Sequence, residues 1–278
     1  MQREHIVKDG IFIPDMGIKY PDNPHERLLH PKILRNIIFD EKYPYLMKSF
    51  REKFFHYIIY AAIFTIVFPI HWFRYGLKIE GKKNLRKNKK FFKNGAITVA
   101  NHVYRWDFLA VVQAVATIGR RRLYFPALAD NFNGKDALQI RSAGGIPVPL
   151  KGMGAMRKFN EAFDFLVSKR KWLHVFPEQC RWNWYEPIRP FKKGAFVLAY
   201  RYNLPIIPMA IRYRPLKGWR KIFFKEPLIT ISVGKPIFPD KNARRKDDSV
   251  RMCKNAHAQI CEMAGIIQNG WNPIVNND

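Results

Sequence analysis

A histidine and an aspartate five residues apart, His102 and Asp107, stand in the stretch "VANHVYRWDFLAV", where an apolar run stops at a polar pair and resumes after an acid. Within one regular helix that spacing turns through about 500°, so the two side chains would diverge. They meet only if His102 lies in a turn and Asp107 in the first turn of the helix that follows. The local sequence fits: strand to Ala100, a turn, then helix from about Trp106. A carboxylate on one ring nitrogen fixes the tautomer and steadies the imidazolium, which leaves the other nitrogen to take a proton. No Ser or Cys shares the motif, so the proton would come from a hydroxyl of the substrate. Such a pair also arises by chance around a structural histidine, and the rest of the chain must decide.

Short apolar runs alternate with helical stretches from Gly95 onward. Residues 96–100, 123–129, 144–150, 172–176, 204–211 and 228–234 read as strands, most of them apolar throughout, as in a sheet covered on both faces. Between and after them, "FLAVVQAVATIG", "MGAMRKFNEAFDFLVSKRK", "KKGAFVLAYRYN" and "DDSVRMCKNAHAQICEMAG" read as helices. The expected fold is α/β: a mixed, largely parallel sheet flanked by helices. An N-terminal membrane-anchoring helical segment precedes it. That segment, Phe54 to Phe73, is 20 residues without Lys, Arg, Asp or Glu. As a helix it covers about 30 Å, with aromatics at both ends, His56 and His71 inside it, and Pro69 in its last turn. It suits a full span, a helix or helix pair lying in one leaflet, or a buried helix of a soluble core. The "GKKNLRKNKKFFK" run that follows has seven basic residues and no acid, a collar for anionic headgroups. The expected organisation is an arm over 1–53, an anchoring segment and collar over 54–93, and a catalytic domain over 94–278.

The chain has 278 residues and a formal net charge of +27, which draws anionic partners: nucleic acid, an anionic membrane surface or a phosphorylated co-substrate. Cys180, Cys253 and Cys261 form no paired spacing, and the N-terminus shows no apolar core of a cleavable signal peptide. The other histidines have no metal-ligand spacing, so no metal is expected, and His174 is expected to pack in a strand. The apolar segment and the lack of any RNA- or DNA-reading motif set nucleic acid aside.

"NHVYRWD" resembles the NH-x4-D motif of the glycerolipid acyltransferase family, which includes the 1-acylglycerol-3-phosphate acyltransferases. "FPEQCRW" (176–182) is similar to that family's FPEG-T-R-S block, "PFKKGAF" (190–196) follows as it often does there, "LPIIPMAI" (204–211) resembles its apolar block with two prolines, and "AGGIPVPLKG" (143–152) stands where it has a G-x-x-x-x-R type block. The order and spacing of these blocks carry the resemblance over roughly Gly95 to Ile211.

This resemblance implies that His102 is the general base and Asp107 its orienting partner. The base would activate an acceptor hydroxyl against the thioester of acyl-CoA or acyl carrier protein, with no other cofactor and no covalent acyl-enzyme. Asn101, Glu178 and Arg181 would hold the acceptor and Pro208 would serve the acyl donor. The arginine expected in the second block is missing, and Lys151 or Arg141 would supply its charge. The implied product is a phospholipid, made at a membrane with the catalytic domain facing the cytoplasm and no nucleic acid involved. Departures lie on the acceptor side: Gln179 where Gly is usual, Cys180 for Thr, Trp182 for Ser, and an aromatic insert "WNWYEPIRP". Those departures keep a different acceptor, or an inactive lipid-binding protein, as alternatives. Glu178 as a mere helix cap, Cys180 as a nucleophile, and Trp182, Trp184 and Tyr185 as packing are the competing local readings.

Overall fold

The computed structural model describes residues 7–8, 14, 16–119 and 121–274. Its nine strands are β1 (Val7–Lys8), β2 (Lys78–Glu80), β3 (Ile97–Ala100), β4 (Leu123–Leu128), β5 (Gly145–Val148), β6 (Trp172–Val175), β7 (Ile206–Arg214), β8 (Leu228–Val233) and β9 (Ile266–Gln268). Its α-helices are α1 (Phe50–Ala62), α2 (Phe68–Tyr75), α3 (Lys82–Lys87), α4 (Asp107–Ala116), α5 (Ala137–Ser142), α6 (Met153–Ser168), α7 (Gly194–Tyr202), α8 (Arg220–Phe223) and α9 (Arg245–Met263). Seven strands form one sheet in the order β2-β8-β7-β3-β6-β4-β5, and β1 pairs with β9 apart from it. Strands β7, β3, β6, β4 and β5 run parallel, β8 is antiparallel to β7, and β2 follows β8. This is the mixed, largely parallel α/β sheet that the apolar runs predict, and all six predicted strands are in it.

β3 sits at the centre because every one of its residues is buried, "ITVA" presenting apolar or hydroxyl side chains to both faces. Alternation sorts those faces. On β7, Ile207, Met209 and Ile211 join the core beneath α4 and the N-terminal helices, while Ile206 and Ala210 join the core beneath α6, α7 and α9. From β3 the chain moves outward through β4 and β5, returns to β6 beside β3, then crosses to β7 on its other side. The carboxyl ends of β3 and β6 therefore border the switch point, where open α/β sheets bind ligands.

α1, a π-helical turn at Ile63–Val67, and α2 form one 26-residue apolar helix, long and apolar enough to cross a membrane by length and composition. Pro69 has no N–H to offer the Thr65 carbonyl, and the wider turn just before it takes up the mismatch without breaking the helix. Its buried residues, His56, Tyr60, Ile63, His71 and Tyr75, fall on one face at helical spacing. Nδ1 of His56 donates to the Ser142 carbonyl at 2.7 Å, and the Tyr60 hydroxyl bonds both the N–H and the C=O of Leu123 at 2.8 and 3.0 Å. Near the other end, Nε2 of His71 lies 2.8 Å from the Tyr104 hydroxyl. Gly76 ends α2 in the left-handed region, φ +52°, which glycine adopts without strain. The helix is thus pinned along its whole length across one face of the sheet. Part of the 54–93 segment lies within the sheet itself, because Lys78–Glu80 forms edge strand β2.

Candidate active site

Asn101 and His102 follow directly on β3, and Asp107 opens α4. The intervening turn folds His102 back so that its Nδ1 lies 2.5 Å from Asp107 Oδ2. The same carboxylate accepts the backbone N–H of Val103 at 3.2 Å and that of Phe108 at 2.7 Å, so Asp107 is fixed from three directions and buried. An anion in the first turn of a helix is further favoured by the helix dipole. The His102 ring lies flat on Phe176, 3.9 Å between centroids and 11° between planes. Its side chain remains 19 % exposed. Among the described residues nothing hydrogen-bonds its Nε2, which leaves that nitrogen to receive a proton at the surface of the site.

Glu178, from the loop after β6, holds the turn from below. Its Oε2 accepts the His102 backbone N–H at 3.0 Å and Nη2 of Arg189 at 3.0 Å, and its Oε1 accepts the Arg189 N–H at 2.9 Å. Both side chains are buried. Arg189 also donates to the carbonyls of Pro24 and Cys180, and its guanidinium lies over the Trp182 ring. The loop is laced to the turn by Trp182 N–H to the His102 carbonyl at 3.0 Å and Trp184 N–H to the Val103 carbonyl at 2.7 Å.

A histidine with a fixed carboxylate partner thus stands at the carboxyl end of a central strand. Residues 76–212 match the Acyltransferase family. These residues form an acyltransferase-family domain. A 1-acyl-sn-glycerol-3-phosphate acyltransferase of Limnanthes douglasii is 27% identical over 220 residues, 78% of this chain and 72% of that protein. Its counterpart in Limnanthes alba is 26% identical over the same share. An uncharacterised acyltransferase of Schizosaccharomyces pombe is 32% identical over 165 residues, 56% of this chain and 53% of that protein. Among solved structures, the 1-acyl-sn-glycerophosphate (LPA) acyltransferase PlsC of Thermotoga maritima aligns with a TM-score of 0.48 and 19% identity, covering 79% of this chain and 85% of that one.

Several residues expected at the acyltransferase site have other work. Asn101 is buried, and both ends of its amide are taken by the backbone of Ile211 at 2.8 and 2.9 Å, which ties β3 to β7. Glu178 is buried against Arg189, and its carboxylate holds the backbone of the His102 turn. Arg141 donates to the carbonyls of Tyr45 and Pro44 at 2.7 Å each and pairs with Glu52 at 3.2 Å, which joins the arm and α1 to α5. Lys151 is exposed past β5, three strands from β3, about 14 Å across the sheet. Pro208 pairs with Val99 and lies between Ile206 and Ala210 in alternation, on the face opposite α4; its carbonyl accepts the Gly234 N–H. It is thus turned away from His102.

Arg181 is half-buried one residue before the Trp182–His102 bond, and its buried Nε has no hydrogen-bond partner among the described residues. Cys180 is buried with its thiol directed to the His25 carbonyl at 3.4 Å, and burial pushes that thiol up, the opposite of an activated nucleophile. His174 packs in β6 against Thr98 and Phe176, and burial pushes it down to about 3, so it is neutral. Among the described residues no group of three or more His, Cys, Asp or Glu is placed to hold a metal ion. Neither Arg189 nor Phe176 stands out in the sequence as a site residue. Phe176 lies within the "FPEQCRW" block, but only the fold shows that its ring is the floor beneath His102. Arg189 carries no local signal at all.

Proposed function

We propose that the protein transfers a fatty acyl group from acyl-CoA or acyl carrier protein to the hydroxyl of a lysophospholipid, 1-acylglycerol-3-phosphate, at a membrane. The observation that carries this is the His102–Asp107 contact with the outer imidazole edge left open. Nε2 takes the acceptor hydroxyl's proton as that oxygen attacks the thioester carbonyl. A C–O bond forms and the C–S bond breaks as the tetrahedral intermediate collapses, and the imidazolium returns the proton to the departing thiolate. Asp107 supports the transient imidazolium. No acyl-enzyme is needed, in keeping with the environment of Cys180. Arg181, half-buried one residue before the Trp182–His102 bond, carries the planar fork that suits an acceptor phosphate. The unusual residues Cys180 and Trp182 face the N-terminal arm, so they do not argue for a changed acceptor.

The membrane part of the proposal is an anchor lying in one leaflet. The 26-residue helix is about 39 Å long and crosses a sheet about 29 Å wide, with both ends bonded to the domain. A spanning helix would have to leave the domain, whereas this one exposes an apolar stripe including Phe54, Ile58, Ile66 and Ile70 along its outer side. The basic surface, +27 overall, suits the anionic cytoplasmic leaflet.

The test is to incubate purified protein with acyl-CoA and a panel of lysolipids and identify products by mass. Phosphatidic acid is the expected product, and His102→Ala is expected to lower kcat/KM by about 10²–10⁴-fold. No acylated lysolipid from the wild type, or an unchanged rate in the variant, would overturn the proposal.

A further inference from the structure

The connection between β7 and β8 is no tight hairpin. Residues 215–227, "PLKGWRKIFFKEP", stand out between the two strands and contain the one-turn helix α8. Ile222 is 78 % exposed, Phe223 70 % and Trp219 40 %. Large apolar side chains gathered at a surface mark a partner or a lipid phase. Around them stand Lys217, Lys221 and Lys225, all exposed. The segment's one acid, Glu226, is held by Arg74 at 2.6 Å.

This projection is fixed to the anchor helix. Arg220 donates from Nε to the Phe73 carbonyl at 2.8 Å, at the C-terminal end of α2, and from Nη2 to the Trp72 carbonyl at 3.1 Å, which also accepts the Gly76 N–H. Its guanidinium also lies between the rings of Trp72 and Trp219. The Phe73 ring is 4.7 Å from that of Trp219 and 5.9 Å from that of Phe224. Trp72, Phe73, Trp219, Ile222 and Phe223 therefore form one exposed apolar patch, continuous with the outer stripe of the α1–α2 helix and rimmed by lysines.

We infer that α8 is a second seat on the lipid, inserting Ile222 and Phe223 into the headgroup layer of an anionic bilayer while the lysines meet its phosphates. The inference rests on the in-plane reading of the anchor helix. Composition selects the partner: aromatic and aliphatic tips among lysines are the pattern of an interfacial element, whereas protein interfaces are depleted in lysine. Geometry adds a consequence. A single helix lying in a leaflet can roll about its own axis; a second contact beside its end stops that roll and fixes which way the His102 site faces.

The full chain is floated with vesicles of phosphatidylcholine alone or mixed with phosphatidylglycerol, comparing wild type, I222D/F223D, K217A/K221A/K225A and, on the anchor stripe, I66D/I70D. Expected for I222D/F223D is a vesicle partition coefficient at least about tenfold lower, with an unchanged thermal melt because both residues are exposed. The lysine variant is expected to lose the preference for phosphatidylglycerol. If I222D/F223D floats like wild type while I66D/I70D does not, α8 is not a lipid seat and the anchor reading stands. If the wild type floats with no vesicle, both readings fall together.

Discussion

Glu178 is fully buried and accepts three hydrogen bonds, from the amide of His102, from the amide of Arg189 and from its guanidinium. Removing one partner of such a buried pair leaves an uncompensated charge, which costs about 3–5 kcal/mol. Glu178→Leu and Arg189→Met are each expected to lower the unfolding free energy from urea titration by that order. The E178L/R189M double variant should recover part of the stability while kcat/KM stays low, because the His102 amide has lost its acceptor. A double-mutant cycle in urea, run beside the acyl-transfer assay, checks both halves. Gln179 raises a different matter. It occupies φ +69°, the left-handed region that a glycine takes freely, at the place where the resembled family usually has Gly. The non-glycine residue bears about 1–2 kcal/mol of strain there, partly offset by the unfolded-state entropy a glycine adds. Gln179→Gly is expected to raise stability by up to about 1 kcal/mol with little effect on turnover, measured by thermal melting. At this scale the His102–Asp107 contact was legible because five residues of local sequence determine it. The hydrogen-bond and pairing partners of Asn101, Glu178 and Pro208 were not, since they come from strands and loops far along the chain.

The loop after β6 and the N-terminal arm make one structural unit. Tyr20 stacks 5.8 Å from Trp182 and lies 4.7 Å from Tyr185, with its hydroxyl donating to the Asn183 carbonyl at 2.8 Å. The Trp182 indole N–H donates to the Glu26 carbonyl at 2.8 Å, and Arg27 pairs with Asp130 at 2.6 Å. The aromatic insert is therefore a clamp for the arm, and its departures from the family pattern have a packing cause. Trp182→Ala is expected to destabilise by about 3–5 kcal/mol and to open the segment 16–27 to limited proteolysis ahead of the rest of the chain. An unchanged digestion pattern would contradict the clamp. Elements were legible where their pattern was long: four helices and six strands follow from apolar runs and periodicity. β2 and α5 did not, one being three residues of "KIE" and the other a six-residue helix, both too short to show a period.

Across the whole molecule, burial of histidine makes stability depend on acid. His174 is pushed by burial from 6.5 down to about 3, and burial lowers His257 as well. The unfolded chain takes up protons there that the fold refuses, so stability present above about pH 6.5 is lost as the pH falls toward 3. The slope from each such group reaches about 1.4 kcal/mol per pH unit. Urea unfolding at pH 7.5, 6.0 and 5.0 should show the decline, and His174→Gln should flatten it whatever its effect on absolute stability. The pairing of β3 with β7 also bears on how the chain is made. Ile97–Ala100 adds Ile206–Met209 as a neighbour, so the centre of the sheet stays incomplete until residue 209 has left the ribosome. The oily helix at 50–75 emerges much earlier. At usual elongation rates it waits on the order of ten seconds for the surface it will cover, and during that interval a chaperone or a bilayer must shelter it from other nascent chains.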